Sequence, residues 1–135
     1  MKRKIMAVTL TAAMLAGLAA VPVWADDAGP DEGKVLNIYC WNEEFKSRLT
    51  DHYPGYEEVD GTHGKIGDVD VVWNITPSDD NAYQNNLDET LLKQADASAD
   101  DKIDLFLVEA DYALKYVNTD YTMPVADLGI TEDEP

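Results

Sequence analysis

Cysteine is almost missing from this chain. Cys40 is the only one among 135 residues, so no disulfide can close within the chain and the fold has to rest on an apolar core. Basic side chains are scarce as well: 10 Lys and Arg stand against 27 Asp and Glu, a formal charge of −17. That balance excludes a nucleic-acid surface, which needs clustered cations facing phosphate. It also repels anionic lipid and polyphosphate, so a neutral or cationic ligand fits better than an anionic one. Histidine occurs twice, as His52 and His63, without metal-ligand spacing to each other or to Cys40. No G-x-S-x-G elbow and no phosphate-cradling glycine loop are present. Asp79-Asp80-Asn81 opens like a calcium loop, yet the glycine at its sixth position and the glutamate at its twelfth are lacking. The expectation is of no bound metal, no cofactor and no catalytic residue set.

Charge is distributed unevenly. Lys2, Arg3 and Lys4 precede an uncharged apolar run from Ile5 to Val23, and Val23-Trp24-Ala25 ends in small residues before Asp26 and Asp27. A positive n-region, an apolar h-region and a small-residue exit are the parts of a cleavable secretory signal, expected over residues 1–25 with cleavage after Ala25. All 27 acidic residues lie beyond Ala25, with seven basic ones, so the mature chain carries −20 and is expected to work in the periplasm or outside the cell. Cys40 lies well past the h-region and is no lipid anchor. It reads as a buried packing thiol. Asn74-Ile75-Thr76 matches a glycosylation sequon, but on a strand-like run it reads as chance.

Beyond an acidic, Gly- and Pro-punctuated leader over 26–33, hydrophobic periodicity alternates between two kinds of element. Val35 to Trp41 and Val69 to Thr76 are β-branched and aromatic runs that read as strands, and Ile103 to Val108 is near-continuously apolar, as for a strand covered on both faces. Between them, Phe45, Leu49 and Tyr53 recur at four-residue spacing, and so do Tyr83, Leu87, Leu91 and Ala95, which predicts two amphipathic helices. Pro77-Ser78-Asp79-Asp80 reads as the capped start of the second. A third helical stretch is expected over Asp111 to Val117, and Pro54 to Gly67, with four glycines and no period, reads as a loop. The order βαβαβα predicts an α/β fold: a parallel sheet with helical layers on both faces and strand order 2-1-3. Three strands leave apolar edges and faces open, so the expectation is either of further sequence downstream or of a fragment of limited stability.

In such a sheet a ligand crevice opens at the carboxyl ends of the strands where the winding reverses, here between the first and third strands. Two loops are thereby named. Trp41-Asn42-Glu43-Glu44 combines an indole plate, an amide and two carboxylates, and Glu109-Ala110-Asp111-Tyr112 repeats the pairing of carboxylate and aromatic ring. Sugars are bound by that mixture, their C–H faces on aromatic rings and their hydroxyls on amides and carboxylates. The same residues also suit plainer work, with Trp41 in the core, Asn42 or Asp111 as helix caps and the glutamates in a first helical turn. A glycosidase acid and base drawn from Glu43, Glu44, Glu109 and Asp111 would need a defined carboxyl separation, which the sequence does not supply. A small acidic module binding a protein partner is the third class of reading.

On VLNIYCWNEEF, VVWNITPSDDNAYQNNLDETLLKQ and DKIDLFLVEADYALKYV, the chain from about Lys34 to Asp127 resembles the opening of bacterial extracellular solute-binding proteins of carbohydrate ABC transporters. The resemblance implies the N-terminal lobe of a type II periplasmic-binding-protein fold, present only in part over 34–135. It further implies a mono- or oligosaccharide ligand held by Trp41, Asn42, Glu43, Glu44, Glu109, Asp111 and Tyr112, and delivery to a membrane permease. The lipid-anchor cysteine common in Gram-positive relatives is not matched at the cleavage site.

Overall fold

The computed structural model of the chain describes residues 33–117 and 119–130. The segments expected as signal peptide and as leader up to residue 32 lie outside the described residues. Within them the architecture is mixed α/β: a five-stranded sheet and two α-helices. Strand β1 (Val35–Cys40) runs through the interior of the sheet. It pairs in parallel with β4 (Val69–Ile75), in register from Val35 opposite Asp70 to Cys40 opposite Ile75. Its other side pairs, also in parallel, with the short β5 (Leu105–Phe106).

The expected loop over Pro54 to Gly67 is instead two strands, β2 (Tyr56–Glu58) and β3 (His63–Ile66). They add antiparallel to the outer side of β4, so the sheet is mixed rather than all-parallel, in the order β2-β3-β4-β1-β5. The β3–β4 connection is the two-residue pair Gly67-Asp68, and Gly67 takes φ +59°, the left-handed region a tight hairpin turn requires. Gly64 is needed for a different reason, since a Cβ there would sit 2.2 Å from the Tyr56 hydroxyl. That hydroxyl instead accepts a 3.1 Å bond from Trp73 Nε1.

Strand alternation sends successive side chains to opposite faces. On one face Ile38, Cys40, Val71 and Trp73 are buried together, and α1 (Glu44–His52) covers them with Phe45 and Leu49. The Phe45 and Trp73 rings meet edge-on at 6.2 Å. Tyr53, expected as the third residue of that stripe, lies past the helix end and is exposed. On the other face α2 (Ala82–Leu91) buries Tyr83, Leu87 and Leu91 with Ile103 and Tyr116, and Tyr39, Trp41 and Phe106 pack against them. Each fully buried apolar side chain of this kind contributes about 1.5–3 kcal/mol.

Three expectations are corrected. The second helix does not start at Ser78: Asp80 and Asn81 both adopt positive φ, 51° and 60°, so α2 begins only at Ala82, and Ser78 makes no capping bond. Short polar side chains tolerate that conformation better than others. The third strand is two residues long rather than six. Gln94 explains part of this, because its side-chain amide takes both backbone bonds of Ile103, at 2.9 Å each, and so replaces a strand partner. Among the described residues nothing pairs with the outer side of β5, so Leu105 and Val108 are exposed rather than covered on both faces. The third helix shrinks to a 3₁₀ turn at Ala113–Lys115, tied to α2 where Tyr116 Oη donates to Asp88 Oδ1 at 2.9 Å and Lys115 Nζ to Asp88 Oδ2.

Candidate functional site

Parallel pairing brings the carboxyl ends of β1 and β5 side by side, and Leu107 N–H donates to the Tyr39 carbonyl at 3.0 Å. Tyr83 locks this junction from below. Its ring is buried and its hydroxyl donates to the Leu107 carbonyl at 2.7 Å while lying 3.1 Å from that of Tyr39. Burial pushes the Tyr83 phenol far above its ordinary range, so it remains a donor throughout the physiological range. Trp41 stands edge-on to the Tyr83 ring at 5.5 Å. The indole is therefore half-buried, one part in the α2-side core and the rest at the surface.

A shallow depression of about 150 Å³ opens there, lined by Trp41, Asn42, Glu44, Phe45, Arg48 and Leu107. Three of these lining residues are apolar or aromatic, Trp41, Phe45 and Leu107, and three are polar, Asn42, Glu44 and Arg48. Asn42 Oδ1 accepts the Glu44 N–H at 2.9 Å, so the side chain that the sequence offered as a cap closes the first turn of α1, while its Nδ2 has no hydrogen-bond partner among the described residues. Glu44 and Arg48 are one helical turn apart. Arg48 Nε and Nη2 both reach the same oxygen, Glu44 Oε1, at 3.3 and 2.9 Å. That leaves Glu44 Oε2 and Arg48 Nη1 uncommitted, and Trp41 Nε1 likewise has no partner among the described residues.

Of the seven residues named from sequence, Trp41, Asn42 and Glu44 line this depression and the other four do not. Glu43 is exposed and serves α1 through its backbone carbonyl, which accepts from Ser47 N and Oγ at 2.9 and 3.0 Å. Glu109 and Asp111 are exposed on the loop after β5. Asp111 does not cap an α-helix, because none follows it among the described residues. Tyr112 is half-buried, its ring edge-on to Tyr116 at 6.3 Å, and burial raises its phenol.

Sequence reasoning missed Phe45, Arg48 and Leu107. Arg48 was legible, since Glu44 and Arg48 form an i, i+4 pair that places both on one helix face; Leu107 required knowing that β5 lies beside β1. A second depression, of about 320 Å³, is lined by Thr90, Lys93, Gln94, Asp96, Ala97 and Asp101. Three of its five polar side chains are engaged, Gln94 by Ile103, Thr90 by the Asn86 carbonyl and Asp101 by Ser98. Among the described residues no group of three or more His, Cys, Asp or Glu side chains is gathered to hold a metal, and no helix is long and apolar enough to cross a membrane. No family model, no curated protein and no solved structure matches this chain.

Proposed function

We propose that the chain belongs to an exported solute-binding component of an ABC importer, that its ligand is a mono- or oligosaccharide, and that a membrane permease is its partner. The observation that carries this reading is the depression at the carboxyl ends of β1 and β5, lined by an indole, a phenyl and a leucine side chain together with the amide of Asn42 and the paired carboxylate and guanidinium of Glu44 and Arg48. Apolar surface mixed with a few polar groups is the composition of small-ligand sites, and sugars use both at once. At about 150 Å³ it is smaller than the roughly 300 Å³ lower limit of ordinary ligand pockets. It accordingly supplies one side of a site, which a second lobe closes by hinge motion. Glu43, Glu109, Asp111 and Tyr112 lie on the two flanking loops as contacts for a larger ligand. The strand order, with β1 between parallel β4 and β5, fits the lobe of a type II binding-protein fold, with β2 and β3 as an antiparallel addition.

The test is calorimetric titration of a panel of mono- and oligosaccharides into the complete gene product, beside Trp41→Ala and Asp111→Asn. Micromolar or tighter binding weakened by both changes is the expected result. Absence of heat with every sugar, from a protein shown to be folded, refutes the carbohydrate assignment.

A further inference from the structure

The loop that follows β5 carries three of the candidate ligand contacts, Glu109, Asp111 and Tyr112, and its backbone bonds are internal. Tyr112 N–H donates to the Glu109 carbonyl at 3.2 Å, and the N–H groups of Lys115, Tyr116 and Val117 reach back to Tyr112 and Ala113. Among the described residues, the hydrogen bonds that tie residues 108–117 to α2 or to the sheet all end on one side chain, Asp88 of α2. Its Oδ1 accepts from Tyr116 Oη at 2.9 Å and its Oδ2 from Lys115 Nζ. Tyr116 is buried, and its ring meets Phe106 and Tyr112 edge-on at 5.4 and 6.3 Å. We propose that Asp88 is a positioning residue: through Tyr116 it holds this loop as a second wall of the site, and so gives the site a preference for ligands longer than one sugar ring. This rests on the sugar-binding reading and deepens it.

Three observations support the assignment. The loop starts at the depression, since Leu107 lines it and Glu109 follows two residues later, at most about 7 Å along the chain. Trp41 and Tyr112 pack against the same buried cluster, which contains Tyr83, Leu87 and Tyr116, so the rings at the carboxyl ends of β1 and β5 share one support. The bond that fastens the loop is made by the hydroxyl of a buried side chain, and burial holds the Tyr116 phenol above its ordinary range, so it stays a donor. The Lys115 amine is half-exposed and adds less. The depression itself, about 150 Å³, is smaller than ordinary ligand pockets; further rings of a bound chain therefore extend over the surface, where Glu109 to Tyr112 begin.

The experiment is calorimetric titration of methyl β-D-glucopyranoside and cellotetraose into the full-length mature protein, beside Asp88→Ala, Asp88→Asn, Tyr116→Phe and the double variant Asp88→Ala/Tyr116→Phe. The parent is expected to bind the tetrasaccharide more tightly than the glucoside. Asp88→Ala and Tyr116→Phe are each expected to weaken the tetrasaccharide about threefold to tenfold, the effect of having to order a loosened loop on binding, and to leave the glucoside unchanged. The double variant should lose no more than either single one, because both remove the same bond. Asp88→Asn keeps an acceptor for Tyr116 Oη and should bind as the parent does, and Tyr116→Phe keeps the buried ring, so the test does not depend on the truncated variant folding. Equal weakening of both sugars in Asp88→Ala and Tyr116→Phe overturns the positioning role, leaving a merely structural bond, while sugar binding stands. A parent that binds the tetrasaccharide no more tightly than the glucoside, or variants that bind it as the parent does, also overturn it. If neither sugar gives heat with the folded parent, the positioning role and the sugar site fall together.

Discussion

Replacing Tyr83 with Phe separates the support of the site from the site itself. The Phe ring retains the buried volume and the edge-on contact with Trp41, so packing is preserved and only the hydroxyl is lost. That hydroxyl is the donor to the Leu107 carbonyl at 2.7 Å, at the junction where β5 joins β1. A neutral hydrogen bond contributes about 0.5–1.5 kcal/mol, and a buried acceptor left without its donor costs about 1–3 kcal/mol. A loss of about 1.5 kcal/mol is expected, which for a domain of about 100 residues corresponds to roughly 8 °C in Tm. Urea unfolding followed by tryptophan fluorescence checks this, with a lower midpoint and an unchanged slope. Alkaline pH supplies a second arm. Burial raises the Tyr83 phenol in the folded state, so the native protein holds that proton longer than the unfolded chain. Its contribution is fully present below the ordinary phenol value of about 10 and declines as pH rises above it. Tyr83→Phe should remove that part of the alkaline slope. A variant within about 0.3 kcal/mol of the parent, or one whose alkaline slope is unaltered, would refute the argument that Tyr83 clasps the two strand ends.

Lys46 is buried on α1, and its amine donates to the Gly61 carbonyl at 2.7 Å and to Glu58 at 3.3 Å; Lys46→Met should cost about 1.5 kcal/mol and speed proteolytic cleavage between Val59 and His63, and unchanged cleavage would count against that anchoring role. Asn74 Nδ2 is buried without a partner among the described residues, on a strand where a β-branched side chain is preferred. Asn74→Val is therefore expected to stabilise by about 1 kcal/mol, and a lowered urea midpoint would contradict this. Asp60 accepts the Thr62 N–H at 2.8 Å and faces His63 Nδ1 at 2.9 Å, which together pull its carboxyl down to about 2. A carboxyl lowered on folding stabilises above its unfolded value of about 3.9 and ceases to as pH falls through 2, so carbon-detected NMR titration should place the Asp60 midpoint well below that of ordinary aspartates, and Thr62→Pro should return it upward.

Local sequence was enough to determine the parts of this protein whose signals are local. Val35 to Cys40 and Val69 to Ile75 are strands because β-branched and aromatic residues suit a pleated, buried surface, and Tyr83, Leu87 and Leu91 are buried because a 3.6-residue period puts them on one side of α2. The hairpin of β3 and β4 carried a local signal too, Gly67-Asp68 as a two-residue turn, but the polar residues around four glycines masked it. Tertiary structure alone decided the rest. The length of β5 depends on Gln94, nine residues earlier, reaching Ile103, and its exposed side chains reflect a position at the sheet edge that no local apolar count reveals. Arg48 lay in plain sight as the partner of Glu44, yet the depression it lines exists only because parallel pairing brings the end of β5, with Leu107, to the end of β1. Side-chain period is a property of neighbours along the chain, whereas a site is made by residues that strand pairing brings together, 66 positions apart in the case of Trp41 and Leu107.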